Sequence, residues 1–288
     1  MITLYDNLTK DEAALCSLVL DASYIPHRLR RRDGGFALLV DEHNHDRAVH
    51  AIEAYYRENR KEIAFSAAGP EAAHHGYAGV WIAAFLGAVH FYVYGTARMR
   101  DFWDAFGASA ARINDGEIYR TVTALMLHAD FTHLAGNMLG MAVFGTAVAQ
   151  VAGWGVASLL ILFAGMSGNM ANALVVPDNH LSIGASTAVF GAIGILSAYQ
   201  FVSKRRKGGH RFRLWLPVLG GVALLAFLGT GPRVDLGAHL FGFLAGLLAG
   251  LLYAAFRTGP QRESVQWGCV LVASGIVLFS WLTAYLGA

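Results

Sequence analysis

The chain is short of charge. Only 15% of its 288 residues are Asp, Glu, Lys or Arg, against 55% hydrophobic, and the mean hydropathy is +0.43. Soluble domains carry about 25% charged residues, so a fully water-exposed architecture is excluded and a membrane protein is implied. Cysteine is almost missing as well. Cys16 and Cys269 stand in different environments, one in a charged stretch and one in an apolar stretch, which excludes a disulfide framework and leaves two ordinary buried thiols. A net charge of +2 is too small to call for nucleic acid. No basic-then-apolar segment opens the chain, so insertion is expected through the first apolar span, with nothing cleaved. The His-Glu-x-x-His signature of zinc peptidases is absent too, which removes the metal reading of His128, Asp130 and His133.

What is present is a series of stretches free of charge: residues 77–95, 131–177, 179–203, 214–232, 236–256 and, closing the chain, 265–288. The second is too long for one crossing of about 20 residues and is broken at Gly153-Trp154-Gly155, so the total predicted is seven helices. Between the fourth and fifth spans runs SKRRKGGHRFR, with Lys204, Arg205, Arg206, Lys207, Arg211 and Arg213 and no acid. Under the positive-inside rule this loop is cytoplasmic. The N-terminus is then cytoplasmic, and spans two, four and six all run inward from the outer face.

Residues 1–65 differ in kind, being charged and alternating. ITLYD reads as a strand, KDEAALCSLVLDA as a helix, YIPHRLRRR and GFALLVD as two strands around Asp33-Gly34-Gly35, and DRAVHAIEAYYREN as a helix. The expectation is a small cytosolic βαββα unit, followed by a linker over 66–76 that contains Pro70. Asp41 to Asp46, with two histidines among them, reads as helix-capping chemistry and not as a metal site.

Three of the predicted spans open on polar side chains. Ser186 lies a few residues inside span four, His239 lies one turn after Asp235 at the start of span six, and His133 and Asn137 stand at i and i+4 on one face of span two. The three helices run in the same direction, so these groups converge at one depth. Polar groups within a membrane are costly and face a bundle interior or a water-filled cavity. A serine hydroxyl needs a base to become a nucleophile, and His239 is the candidate. Close approach of two membrane helices calls for small residues. Gly242, Gly246 and Gly250 follow His239 on its own side, while Gly184, Ala185 and Gly191 flank Ser186. The oxyanion formed on attack needs preset donors, for which the Ser186 N–H, Asn137 and His133 are available. Asp235 reads as a helix cap.

With these residues in view, the chain resembles the rhomboid intramembrane serine proteases. The resemblance covers residues 77–256 and rests on G-A-S-T-A-V-F-G in span four, A-H-L-F-G-x-x-x-G in span six, H-x-x-x-N opening span two and E-I-Y-R-T ahead of it. It implies a six-helix core, here followed by a loop and seventh span over 257–288. It implies Ser186 as nucleophile and His239 as base of a dyad without a third acid, and His133 and Asn137 as oxyanion stabilisers. Gly184 would shape the turn before the serine, and Phe190 would hold the imidazole face. Glu117, Arg120 and His128 read as structural hydrogen-bonders of the first loop. Family members more often have Tyr at the Phe190 position and Trp at the Tyr119 position.

The fold class expected is therefore an all-α polytopic membrane protein with a small α+β cytosolic domain. The reaction expected is peptide-bond hydrolysis through an acyl-enzyme, with no cofactor and no metal. Partners expected are single-span transmembrane proteins cut near their outer end, together with membrane lipids, in a bacterial inner membrane. The first loop, 98–131, mixes Phe102, Trp103 and Phe106 with charges and suits a segment lying in the interface. Two other classes compete: an inactive relative that binds or escorts membrane proteins, and a transporter, whose inverted repeats are not visible.

Overall fold

The computed structural model describes residues 1–32, 35–67, 77–206, 211–228, 234–256 and 261–287. The expected Asp33-Gly34 turn, the linker with Pro70, and Lys207 of the basic loop lie outside these residues. The chain divides into two compact units, Met1–Ala72 and Ala73–Ala288.

The first unit has the order β1 (Ile2–Leu8), α1 (Lys10–Ala22), β2 (His27–Arg32), β3 (Gly35–Val40) and α2 (His45–Ala67). The strands form an antiparallel sheet ordered β1-β3-β2. Thr9 and Glu12 start α1 with a reciprocal capping box, each side chain taking the other's backbone N–H. Alternation along β3 turns Leu38 and Val40 inward against Cys16, Leu20 and Ile52. Asp41 corrects the capping expectation: it precedes a short 3-10 turn, Glu42–Asn44, and its side chain makes no cap bond. Asn44 instead is buried and accepts from Arg47 Nη1 at 3.2 Å. Among the described residues no cluster able to hold a metal ion occurs in either unit.

The second unit is helical and hydrophobic, and the protein is an integral membrane protein. Its elements are α3 (Ala78–Gly95), α4 (Met99–Phe106), β4 (Ala108–Ser109), α5 (Ala110–Asn114), α6 (Arg120–Thr123), α7 (Phe131–Gly140), α8 (Thr146–Ala152), α9 (Trp154–Ala173), β5 (Leu181–Ser182), α10 (Ser186–Arg206), α11 (Arg211–Leu228), α12 (Leu236–Phe256) and α13 (Glu263–Gly287). A π-helical turn, Met141–Gly145, joins α7 to α8 into one span, Phe131–Ala152. Among the described residues six helices are long and apolar enough to cross a membrane, and α11 is a shorter apolar helix with Pro217 inside it.

Glycines decide where helices touch. The widened π turn receives Gly79 of α3, and a methyl there would overlap Met141 O and Thr146 N. Gly153 takes φ +84° to break α8 from α9. That break leaves backbone groups without helical partners in apolar surroundings. Gln266 of α13 fills the gap. Its Oε1 accepts from Gly155 N–H at 2.7 Å and Val156 N–H at 3.0 Å, and its Nε2 donates to Ala152 O at 3.0 Å. The seventh apolar helix is thereby bonded to the core as well as packed on it.

Candidate active site

The loop ahead of α10 sets the site. Span four was expected to run helically from residue 179, with Ser186 a few residues inside. The helix instead begins at Ser186 itself. Residues 177–185 are spent otherwise: Leu181–Ser182 pairs antiparallel with Ala108–Ser109, and Gly184 N–H donates to Ala124 O at 2.9 Å. Gly184 has φ +125°, and a Cβ on it would lie 2.6 Å from His133 Nε2, so glycine is required there for two reasons. Apolar composition alone did not separate this loop from the helix behind it. The shift matters chemically, because a helix start leaves N–H groups without intrahelical acceptors and carries the positive end of the dipole, both beside the Ser186 hydroxyl.

His239 occupies the first turn of α12 and is 6% exposed. Its Nε2 lies 2.6 Å from Ser186 Oγ, and its ring stacks, tilted, on Phe190 with centroids 4.7 Å apart. The two helices meet through backbone. Methyls on Gly242, Gly246 and Gly250 would overlap the carbonyls of Thr187, Gly191 and Ile195, and one on Gly194 would overlap Phe243 O. Each of these small residues is therefore a condition of the short Ser186–His239 distance.

His133 and Asn137 stand on α7, whose first turn is capped by Asp130 accepting from His133 N–H at 2.8 Å. The His133 ring and the Asn137 amide both face Gly184. Asn137 is buried, and its Nδ2 has no hydrogen-bond partner among the described residues. A buried, unpaired donor facing the turn that leads to Ser186 is suited to a negative charge that appears only during reaction.

The flanking residues are held by burial. Arg120 is 1% exposed; its Nε donates to Glu117 Oε2 at 2.6 Å and its Nη1 to the carbonyls of Asp104 and Gly107 at 3.0 Å. Tyr119 Oη donates to the same carboxylate at 2.8 Å. Burial would raise the Glu117 carboxyl, but the bonds from Arg120 and Tyr119 with the Arg120 and Arg112 charges hold it below the usual range. His128 Nε2 lies 3.5 Å from Ala185 N, and burial, aided by the His133 and His90 imidazoles, pushes His128 down to about 3. His90 is buried against the His128 and Tyr94 rings. In the first loop α4 turns Phe106 onto Trp281 and Tyr285 of α13.

Asp235 accepts from Ala238 N–H at 2.9 Å and so caps α12. It also accepts from His180 and Asn172, two residues that the sequence reading passed over. A signal for the second existed: Asn169 and Asn172, at i and i+3, are amides in an otherwise apolar span. Asn169 is buried too, donating to Thr121 O at 2.9 Å.

Comparison with known proteins bears on the family of the chain. A family model of the rhomboid domain matches residues 115–256. The chain is 31% identical over 179 residues to rhomboid protease GluP of Bacillus subtilis, covering 60% of this chain and 33% of that one. It is 32% identical over 163 residues to RHOMBOID-like protein 7 of Arabidopsis thaliana, covering 55% and 51%. It is also 27% identical over 173 residues to inactive rhomboid protein 2 of Homo sapiens, covering 59% and 20%. The chain thus spans about half or less of these relatives' lengths.

Proposed function

This chain belongs to the rhomboid family, and we propose that it is an intramembrane serine endopeptidase. Ser186 attacks the scissile carbonyl while His239 takes its proton. The imidazole returns that proton to the leaving amine, and an acyl-enzyme forms at Ser186. Water, deprotonated by His239, releases the product. His133, Asn137 and the first-turn N–H groups of α10 stabilise the oxyanion. Phe190 holds the imidazole face, while Gly184, Gly242 and Gly246 keep the chains close. Glu117, Arg120 and His128 hold the first loop.

The observation that carries this reading is the 2.6 Å approach of Ser186 Oγ to His239 Nε2. It is supported by a glycine seam with little slack and by an unpaired amide at Asn137. The proposed substrates are single-span membrane proteins with small or helix-weakening residues, because a regular helix hides its carbonyls in hydrogen bonds. The proposed location is a bacterial inner membrane, with the N-terminal unit cytoplasmic and the site opening toward the outer face. This orientation follows from the basic residues Lys204, Arg205 and Arg206 in the last turn of α10.

The inactive human relative supplies the second reading, a non-hydrolytic binder of membrane proteins. Labelling by a fluorophosphonate probe separates the two. The protease reading expects labelling and cleavage of a model transmembrane substrate, both abolished in Ser186→Ala and His239→Ala with the fold retained. Cleavage that persists in Ser186→Ala overturns the mechanism, and a wild-type chain that neither labels nor cleaves favours the binder.

A further inference from the structure

We propose that Asp235 is a positioning residue for the dyad, clasping the chain segment that delivers Ser186 to the helix that carries His239. This inference rests on the Ser186–His239 reading above.

Asp235 stands four residues before His239, at the entrance of α12. Its Oδ1 accepts from Ala238 N–H at 2.9 Å, and by itself that bond is an ordinary helix cap. Its Oδ2 is used as well. His180 Nε2 lies 2.7 Å away and Asn172 Nδ2 donates at 2.8 Å. His180 precedes β5, the strand that leads through Gly184 to Ser186, and Asn172 closes α9. One carboxylate thus ties three separate stretches of chain, two of which end on the nucleophile and the base.

A cap does not need this reach. Serine and asparagine cap helices as well as aspartate does, so capping leaves the second oxygen and its two partners unexplained. The side chain is only 16% exposed, and hydrogen bonds to a carboxylate in such surroundings are stronger than in water. Burial would raise the Asp235 carboxyl, but bonds from Ala238, His180 and Ser182 hold it below its ordinary value, so it stays an anion. The clasp is fitted closely. A Cβ on Gly237 would overlap Asn172 Oδ1 and lie 3.4 Å from Asp235 Oδ1, so any larger residue there would displace the amide.

The α10–α12 seam fixes how close the two helices run, yet Ser186 is the first residue of its helix and is delivered by the preceding loop. The clasp fixes that loop relative to the first turn of α12. A displacement of about 1 Å in a reacting group can cost about 100-fold in rate.

The test uses the full chain in detergent and in proteoliposomes. Asp235→Ser keeps a good cap and loses the reach to His180 and Asn172. The clasp expects the rate constant of fluorophosphonate labelling, and kcat for a transmembrane substrate, to fall about 10- to 100-fold, with KM and the melting temperature little changed. His180→Ala gives part of the same loss. The double variant is no slower than Asp235→Ser, because both changes remove one interaction. Wild-type rates in Asp235→Ser, or full additivity with His180→Ala, overturn the proposal. Should Asp235→Ser not fold, His180→Ala and Asn172→Ala carry the test, and unchanged labelling in both overturns it. If the wild type does not label at all, the protease reading fails and hydrogen exchange decides the clasp separately. Faster exchange in residues 180–188 and 236–240 together supports it, whereas a change confined to 236–240 leaves a cap alone.

Discussion

The two sides of α10 are built on different terms. Toward α12 the contact is backbone on backbone: Gly242, Gly246 and Gly250 lie against the carbonyls of Thr187, Gly191 and Ile195. Toward α11 the contact is made by side chains. Trp215 meets Phe201 with ring centroids 5.0 Å apart, and Ser197 Oγ donates to Pro217 O at 3.0 Å. A cleft of about 500 Å³ remains there, bounded by Phe144, Leu196, Leu216 and Gly220. Side chains can change rotamer and carbonyls cannot. The face that brings His239 to Ser186 is thus rigid, and the side of the same helix that meets α11 is compliant.

The largest effect should come from putting a methyl into the rigid face. Gly246→Ala places Cβ on the Gly191 carbonyl, and no rotamer change relieves it, so α12 must move off α10. We expect a loss at the upper end of the overpacking range, about 3 kcal/mol. Probe labelling, and with it the proposed peptidase activity, should be lost too, because the Ser186–His239 distance opens. Thermal unfolding in detergent and probe labelling measure the two. A Gly246→Ala protein with wild-type labelling would break the contrast between the faces.

The second test asks whether rigidity extends to the last helix. In Gln266→Leu the N–H groups of Gly155 and Val156 and the Ala152 carbonyl lose their partner at a buried turn. An unsatisfied buried group costs about 1–3 kcal/mol, and partial relaxation of the turn should leave a net loss of about 2 kcal/mol. Gln266→Glu keeps the acceptor for both N–H groups and loses the donor to Ala152. It should fall between Gln266→Leu and wild type in melting temperature.

The third concerns pH. His128 has its ordinary value near 6.5 when unfolded and about 3 when folded, because it is buried. Above 6.5 both states hold it neutral and it contributes nothing to the pH dependence. As pH falls below 6.5 the unfolded chain takes up a proton that the folded chain refuses, so stability declines down to about 3. Melting temperature followed from pH 7 to pH 4 should therefore drop, and His128→Gln should flatten part of that slope. Glu117 adds a loss of the same sign at lower pH, since its carboxyl is held down in the folded state and its stabilisation goes as pH falls through that lowered value.

Much of the rigid face was legible in the sequence. Glycines at i+3, i+7 and i+11 after His239 form a stripe on its own side of one helix, and the stripe is what permits the approach seen here. The β-α-β-β-α order of the first unit was legible as well, since period-2 and period-3.6 patterns alternate there between turn residues. The start of α10 was not, because residues 179–185 are as free of charge as the helix they precede and contacts across the chain, the strand pairing at Leu181–Ser182 and the Gly184 bond to Ala124 among them, hold them out of it. The π turn in span two and the Gln266 bonds escaped for a related reason. Both answer to partners far away in sequence, Gly79 in one case and Gly155 in the other, and local pattern carries no record of them. His180 and Asn172 were missed because each makes sense only once Asp235 lies between them.

The smallest effect should come from the same substitution made on the compliant face. Gly220 sits within α11 and a Cβ built on it meets nothing within 4 Å, so the added methyl has space. Glycine in a helix interior is worse than alanine by about 1 kcal/mol, mainly because the unfolded chain loses more freedom on ordering. Gly220→Ala should therefore be neutral or stabilising by up to about 1 kcal/mol, with probe labelling unchanged. Gly246→Ala puts its methyl onto an α10 carbonyl, whereas Gly220→Ala puts the same methyl into open space on α11. If both destabilised equally, the two faces would be equally tight and the rigidity assigned to the α12 side would have to be general to the bundle.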